Sequence, residues 1–283
     1  MGMLDGKVAV ITGGASGIGE GSVRLFVEQG ARVVIADILD ERGHALAEEL
    51  SSAATFVHTD VAEESEVQAA VEAARSRFGA LDCMFNNAGF AGVSGSILDL
   101  ELEQYERTMA VLLRGVVLGI KHAGRAMKEQ GRGSIVNTAS VAALRTGMGP
   151  HVYSAAKAAV VHLTRSTAME LGEANVRVNC ICPGAIATPI FGRAMGLSDA
   201  QAEATVNLLK PGFASAQPVP RAGLPEDIAN AAAWLASDMS SFVNGQALVV
   251  DGGISNGRRW SDVQGGMSGL ASAAGGNPAR PIF

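Results

Sequence analysis

Lys7-Val8-Ala9-Val10-Ile11-Thr12-Gly13-Gly14-Ala15-Ser16-Gly17-Ile18-Gly19 is the stretch on which the reading of the fold turns. It opens as a short, mostly apolar run and passes without a break into a glycine-rich turn, after which a helical pattern begins. In that order of strand, turn and helix, the glycines permit positive φ and close backbone approach. The N–H groups of the helix N-terminus then face whatever lies on the turn, which suits an anion such as a pyrophosphate. By itself such a turn is only a strand-to-helix connection. Asp37 adds weight, because it ends the second apparent strand 18 residues beyond Gly19. A carboxylate there accepts hydrogen bonds from both ribose hydroxyls of an adenosine and repels a 2′-phosphate. Neither Gly14 nor Ile38 offers a cation to offset that repulsion, so the pattern points to NAD over NADP. Arg42 is the nearby cation and reads as part of a solvated helix face.

Outward from this stretch, short β-branched runs alternate with longer helical patterns. The strands expected are 7–12, 32–36, 54–58, 81–85, 133–138, 176–182 and 246–250, with helices near 17–29, 40–51, 63–78, 101–130, 152–173 and 225–237. Runs such as Val33-Val34-Ile35-Ala36 are apolar throughout, as strands covered by helices on both faces must be. The alternation predicts an α/β chain with one doubly wound, seven-stranded parallel sheet of the Rossmann type, spanning 1–253. Two segments break the rhythm. Residues 184–224 are rich in Pro, Gly and Met and partly helical. The tail 254–283 is rich in Gly, Ser and Ala, and reads as flexible or ordered only by packing on something else.

Composition narrows the function. A formal charge of -6 with 18% charged residues argues against nucleic acid and anionic membrane surfaces. No apolar run approaches the roughly 18 residues of a membrane span. The first strand begins almost at once and leaves no room for a signal peptide, so a cytoplasmic protein is expected. Cys83, Cys180 and Cys182 all fall in expected strands and read as buried free thiols. No spacing links the histidines as metal ligands, Cys180-x-Cys182 could be a metal fragment but lacks partners, and no metal is expected.

Tyr153-x-x-x-Lys157 carries the chemistry. On a helix, positions i and i+4 share a face, so an ammonium lies near a phenol and favours phenolate. A phenol so placed can take the proton of an alcohol as hydride leaves the carbon. Five features occur in order: the Thr12–Gly19 turn, Asn86-Asn87-Ala88-Gly89, Ser140 thirteen residues before Tyr153, Lys157, and Pro183-Gly184. This set resembles the short-chain dehydrogenase/reductase family from about Leu4 to Gly253. Within the family it looks closest to NAD-dependent secoisolariciresinol dehydrogenase-like and hydroxysteroid dehydrogenase-like alcohol dehydrogenases.

The resemblance implies a role at each matching position. Tyr153 is the acid/base, Lys157 lowers its pKa and holds the nicotinamide ribose, and Ser140 orients the substrate oxygen. Gly13, Ser16, Gly17, Ile18 and Gly19 carry the pyrophosphate, and Asp37 the adenosine ribose. Asp60 and Val61 meet the adenine, with Asn87, Ala88 and Gly89 along the adenosine side. Pro183, Gly184, Ile186 and Thr188 receive the nicotinamide, while Asn86 ties strands together. The segment 184–224 becomes a substrate lid, with His151, Phe191 and Met195 as candidates to touch substrate. Its apolar residues suit a bulky cyclic or aromatic secondary alcohol. The family usually forms tetramers through long helices like 101–130 and 152–173. One position departs from the pattern: Val111-Leu112-Leu113-Arg114-Gly115 carries Leu112 where the family has an Asn that supports a water chain from the Lys. The reading is therefore an NAD-dependent alcohol dehydrogenase. An NADP-dependent carbonyl reductase and a non-catalytic NAD-binding or redox-sensing protein remain as alternatives.

Overall fold

The computed structural model describes residues 2–273 and 275 of the chain. Seven strands, β1 (Val8–Thr12), β2 (Arg32–Asp37), β3 (Ala54–His58), β4 (Cys83–Asn86), β5 (Gly133–Thr138), β6 (Val176–Pro183) and β7 (Ala247–Val250), form one parallel sheet in the order β3-β2-β1-β4-β5-β6-β7. The order reverses between β1 and β4, which opens a crevice at the carboxyl ends of those strands.

Alternation along each strand explains why both faces are apolar. Val8, Val10, Val34 and Ala36 point into one core with helices α3 (Glu64–Phe78), α5 (Gly115–Gln130) and α6 (His151–Gly172). Their neighbours Ala9, Ile11, Val33 and Ile35 point into the other, against α1 (Gly17–Glu28), α2 (Asp40–Leu50) and α9 (Pro225–Ala236). A polar residue on either side of β1 would leave an unmet group in one core or the other.

The element boundaries match the sequence expectation closely, with two differences. The helix expected over 101–130 is built from α4 (Leu102–Met109) and α5, joined by one π turn over Ala110–Arg114 that holds Leu112 fully buried. The tail, expected to be without periodicity and either flexible or ordered by packing, carries α10 (Trp260–Ala273). Arg259 closes a salt bridge on Asp262 at its first turn. The segment 184–224 contains α7 (Ile190–Ala194) and α8 (Asp199–Ala216). All three cysteines are free and buried. No helix is long and apolar enough to cross a membrane among the described residues.

Candidate active site

Because every strand is parallel, the residues that end β1, β2, β4, β5 and β6 line one edge of the sheet: Thr12, Asp37, Asn86, Thr138 and Pro183. The glycine turn leaves that edge after Thr12. Gly13 has φ +64°, and a Cβ on Gly19 would overlap the Gly13 carbonyl oxygen. Only a residue without a side chain lets the first turn of α1 sit this close to the loop. Thr12 Oγ1 pins the neighbouring loop, accepting from Asn87 N at 2.9 Å and Ala88 N at 3.0 Å, while Asn87 Nδ2 donates to Thr12 O at 3.0 Å. Asn86 bonds Asn137 at 2.8 Å and so ties β4 to β5.

Asp37 is buried at the end of β2, with Oδ2 accepting Ala15 N at 2.9 Å and Oδ1 accepting Leu39 N at 3.0 Å. A carboxylate has about four acceptor positions, so two remain for ribose hydroxyls. Beyond β3, Asp60 Oδ1 accepts Ala62 N at 2.9 Å, and Val61 turns its side chain into the core against Gly115. Thr188 is buried over the turn, with its Cβ 3.3 Å from where a Gly17 Cβ would stand. Gly184 lies against Asp251, and Ile186 pairs with Gly223. A glycine-rich turn, a carboxylate at the second strand and a threonine over the turn suit a nicotinamide dinucleotide laid across the strand ends.

Ser140 follows β5 and opens a short 3-10 turn, its Oγ accepting Ala142 N at 3.1 Å. Tyr153 and Lys157 lie on the first turns of α6, with the Ser140 hydroxyl near enough to the phenol to favour its ionised form. Lys157 is buried; its Nζ donates to Thr138 O at 2.7 Å and lies 5.7 Å from the centre of the Tyr153 ring. Burial pulls this ammonium down from 10.5 to about 8. Burial also holds the phenol above its ordinary value, with Ser140 opposing the shift only in part. In the protein by itself, burial therefore opposes charge on both groups. One of the three Lys157 Nζ donors is taken by the Thr138 carbonyl.

Leu112 and the Lys157 ammonium both lie near Gly89: a Cβ there would stand 3.2 Å from Leu112 Cδ2 and 3.9 Å from Lys157 Nζ. The lid candidates are less concentrated. His151 is exposed beside the 93–100 loop, Phe191 packs edge-on against Phe213 at 5.1 Å, and Met195 is exposed.

Two arginines were misjudged or missed from sequence. Arg42 is more than a solvated face: one-third exposed, its Nε donates to Ala15 O at 3.0 Å, and its other nitrogens pair with Glu20 and Glu203. Arg193, on α7, donates through Nη1 to Ser16 Oγ at 3.0 Å. The only trace of it in the sequence is a single cation in an otherwise apolar lid segment, Ile190-Phe191-Gly192-Arg193-Ala194-Met195.

A family model described as enoyl-(acyl carrier protein) reductase matches residues 13–255. Momilactone A synthase of Oryza sativa subsp. japonica is 48% identical over 258 residues, covering 89% of this chain and 91% of that protein. A mitochondrial borneol dehydrogenase of Lavandula x intermedia is 45% identical, covering 89% and 92%. Among solved structures, levodione reductase superposes with a TM-score of 0.81 at 34% identity, covering 90% of this chain and 100% of that one. A 3-ketoacyl-(acyl-carrier-protein) reductase from Brucella melitensis, complexed with NADH, gives 0.80 at 37%, covering 89% and 99%.

Proposed function

The chain belongs to the short-chain dehydrogenase/reductase family, and on that premise we propose that it interconverts a bulky secondary alcohol and its ketone with NAD. The observation that carries the reading is the convergence of Ser140, Tyr153 and Lys157 at the carboxyl end of β5, beside the glycine turn. When bound, the nicotinamide accepts or returns the hydride.

This chain's own groups supply the proton and the alignment. Ser140 Oγ holds the substrate oxygen towards the Tyr153 phenol, which takes the alcohol proton on oxidation and returns it on reduction. Burial keeps the phenol protonated near neutral pH, a state ready for ketone reduction. Oxidation needs phenolate and therefore gains as pH rises. Lys157, tethered to Thr138 O, is placed to grip the nicotinamide ribose and to steady negative charge on the phenol. Asp37 favours NAD by offering the ribose a carboxylate and a 2′-phosphate a repulsion. Arg42 does not offset it, since Glu20 and Glu203 already hold that guanidinium.

Phe191, Met195 and Leu208 leave apolar surface exposed along the lid, which suits a cyclic or aromatic substrate. A borneol dehydrogenase and a levodione reductase among the relatives accord with an alcohol–ketone pair. The test is turnover of cyclic, aromatic and steroidal alcohols with NAD and with NADP, beside small charged hydroxy acids. The reading expects the cyclic alcohols with NAD to lead. Turnover of the hydroxy acids alone would sink the substrate class, and preference for NADP would favour a carbonyl reductase. A binding-only protein is the second reading, favoured by buried, apolar Leu112 beside Lys157.

A further inference from the structure

Arg193 projects from α7 into the glycine turn, and its three guanidinium nitrogens meet different fates. Nε donates to Asp199 Oδ1 at 2.6 Å, and Nη1 to Ser16 Oγ at 3.0 Å. Nη2 is buried with no hydrogen-bond partner. A buried guanidinium N–H without an acceptor has given up its bond to water for nothing.

The surroundings compound the mismatch. Ser16 is the N-cap residue of α1 in extended conformation, yet its side chain caps nothing and instead receives Arg193. The N-terminus of a helix carries partial positive charge, so a cation beside it stands at the wrong end. An anion set between Arg193 and the first turn of α1 would satisfy Nη2 and separate the like charges. The planar guanidinium fork suits a phosphate in particular.

We propose that Arg193 is a cofactor-binding residue carried by the lid, which closes on the pyrophosphate of a dinucleotide lying on the glycine turn and draws α7 and α8 down with it. The proposal rests on the reading of this site as a nicotinamide dinucleotide site. Movement of Arg193 is movement of the lid, because α7 is packed to α8 through the Phe191–Phe213 pair and through Gly192, whose Cβ position lies 2.6 Å from Ala202 Cα. Arg42 adds a second link from the opposite direction, joining Ala15 O of the turn to Glu203 of α8. Lid order and phosphate binding are therefore coupled, whereas the adenosine end is read independently at Asp37.

Calorimetry on the full chain tests this with NAD, ADP-ribose and adenosine as probes, on the parent, Arg193→Leu and Arg193→Lys. Hydrogen exchange across 190–216 of the parent is followed in parallel. Arg193→Leu should lose about tenfold to a hundredfold in affinity for NAD and ADP-ribose, the range of a charge-assisted hydrogen bond, and nothing for adenosine. Arg193→Lys should recover part of the loss. ADP-ribose, but not adenosine, should slow exchange in the parent lid. Equal binding of ADP-ribose by parent and Arg193→Leu overturns the role of Arg193 alone. If that variant does not fold, lid exchange in the parent that ignores ADP-ribose overturns it instead. Failure of the parent to bind NAD or ADP-ribose at all overturns the underlying reading with it.

Discussion

Lys157 shows how burial sets the chemistry at single residues. Its ammonium is pulled from 10.5 to about 8 because the folded chain removes it from water. Between those values the unfolded chain binds the extra proton, so stability rises with pH through this window; below about 8 the folded state carries the buried charge at a cost. That cost is roughly 3 kcal/mol, offset in part by the bond to Thr138 O. Lys157→Met should therefore melt at or above the parent near pH 7 while losing turnover, and the gap should close towards about pH 10. Melting curves across that range check it, and a constant deficit at every pH would contradict it. Leu112 offers a second test beside the same ammonium. Leu112→Asn should raise turnover by on the order of tenfold, below the ~10²–10⁴ of a whole acid/base group, and shift its pH profile. Unchanged rate and profile would refute a part for this position. The places of Ser140, Tyr153, Lys157 and Asp37 in the fold were legible because each sits at a fixed offset from a strand or helix start, while their roles are the proposal. The place of Arg193 was not legible, since its partner Ser16 lies 177 residues away and no local pattern records the contact.

Strands and the long helices were legible to within a few residues because both cores demand apolar side chains at fixed periods. The π turn was not, because Ala110–Arg114 continues the helical pattern on either side and one wider turn leaves no break in it. The helix in the tail was hidden for another reason. Trp260, Val263, Met267 and Leu270 do recur at helical spacing, but the glycines among them hid the period. The turn that joins β1 to α1 yields the sharpest prediction at this scale. Gly19→Ala sets a methyl against the Gly13 carbonyl and forces the helix away from the loop. It should cost about 1–3 kcal/mol in urea unfolding and weaken NAD binding. Parent stability and affinity would show that the close approach is dispensable.

Across the whole molecule, seven parallel strands bring residues from Thr12 to Thr188 to one edge, so the site belongs to no single element. The family match ends at residue 255, so the tail lies outside it. Trp260 is two-thirds exposed at its start, a surface we propose meets a neighbouring subunit or the lid. Deleting 256–283 should then change the oligomer mass by light scattering or the substrate affinity, and no change in either would assign the tail no such part. The central claim, hydride exchange with NAD through Tyr153, is tested most directly by following NADH formation from NAD and a cyclic secondary alcohol in the parent and in Tyr153→Phe. The account predicts NADH from the parent and a fall of about 10²–10⁴-fold in the variant, with NAD still bound. NADH from the variant at the parent rate, or none from a parent that binds NAD, would contradict it.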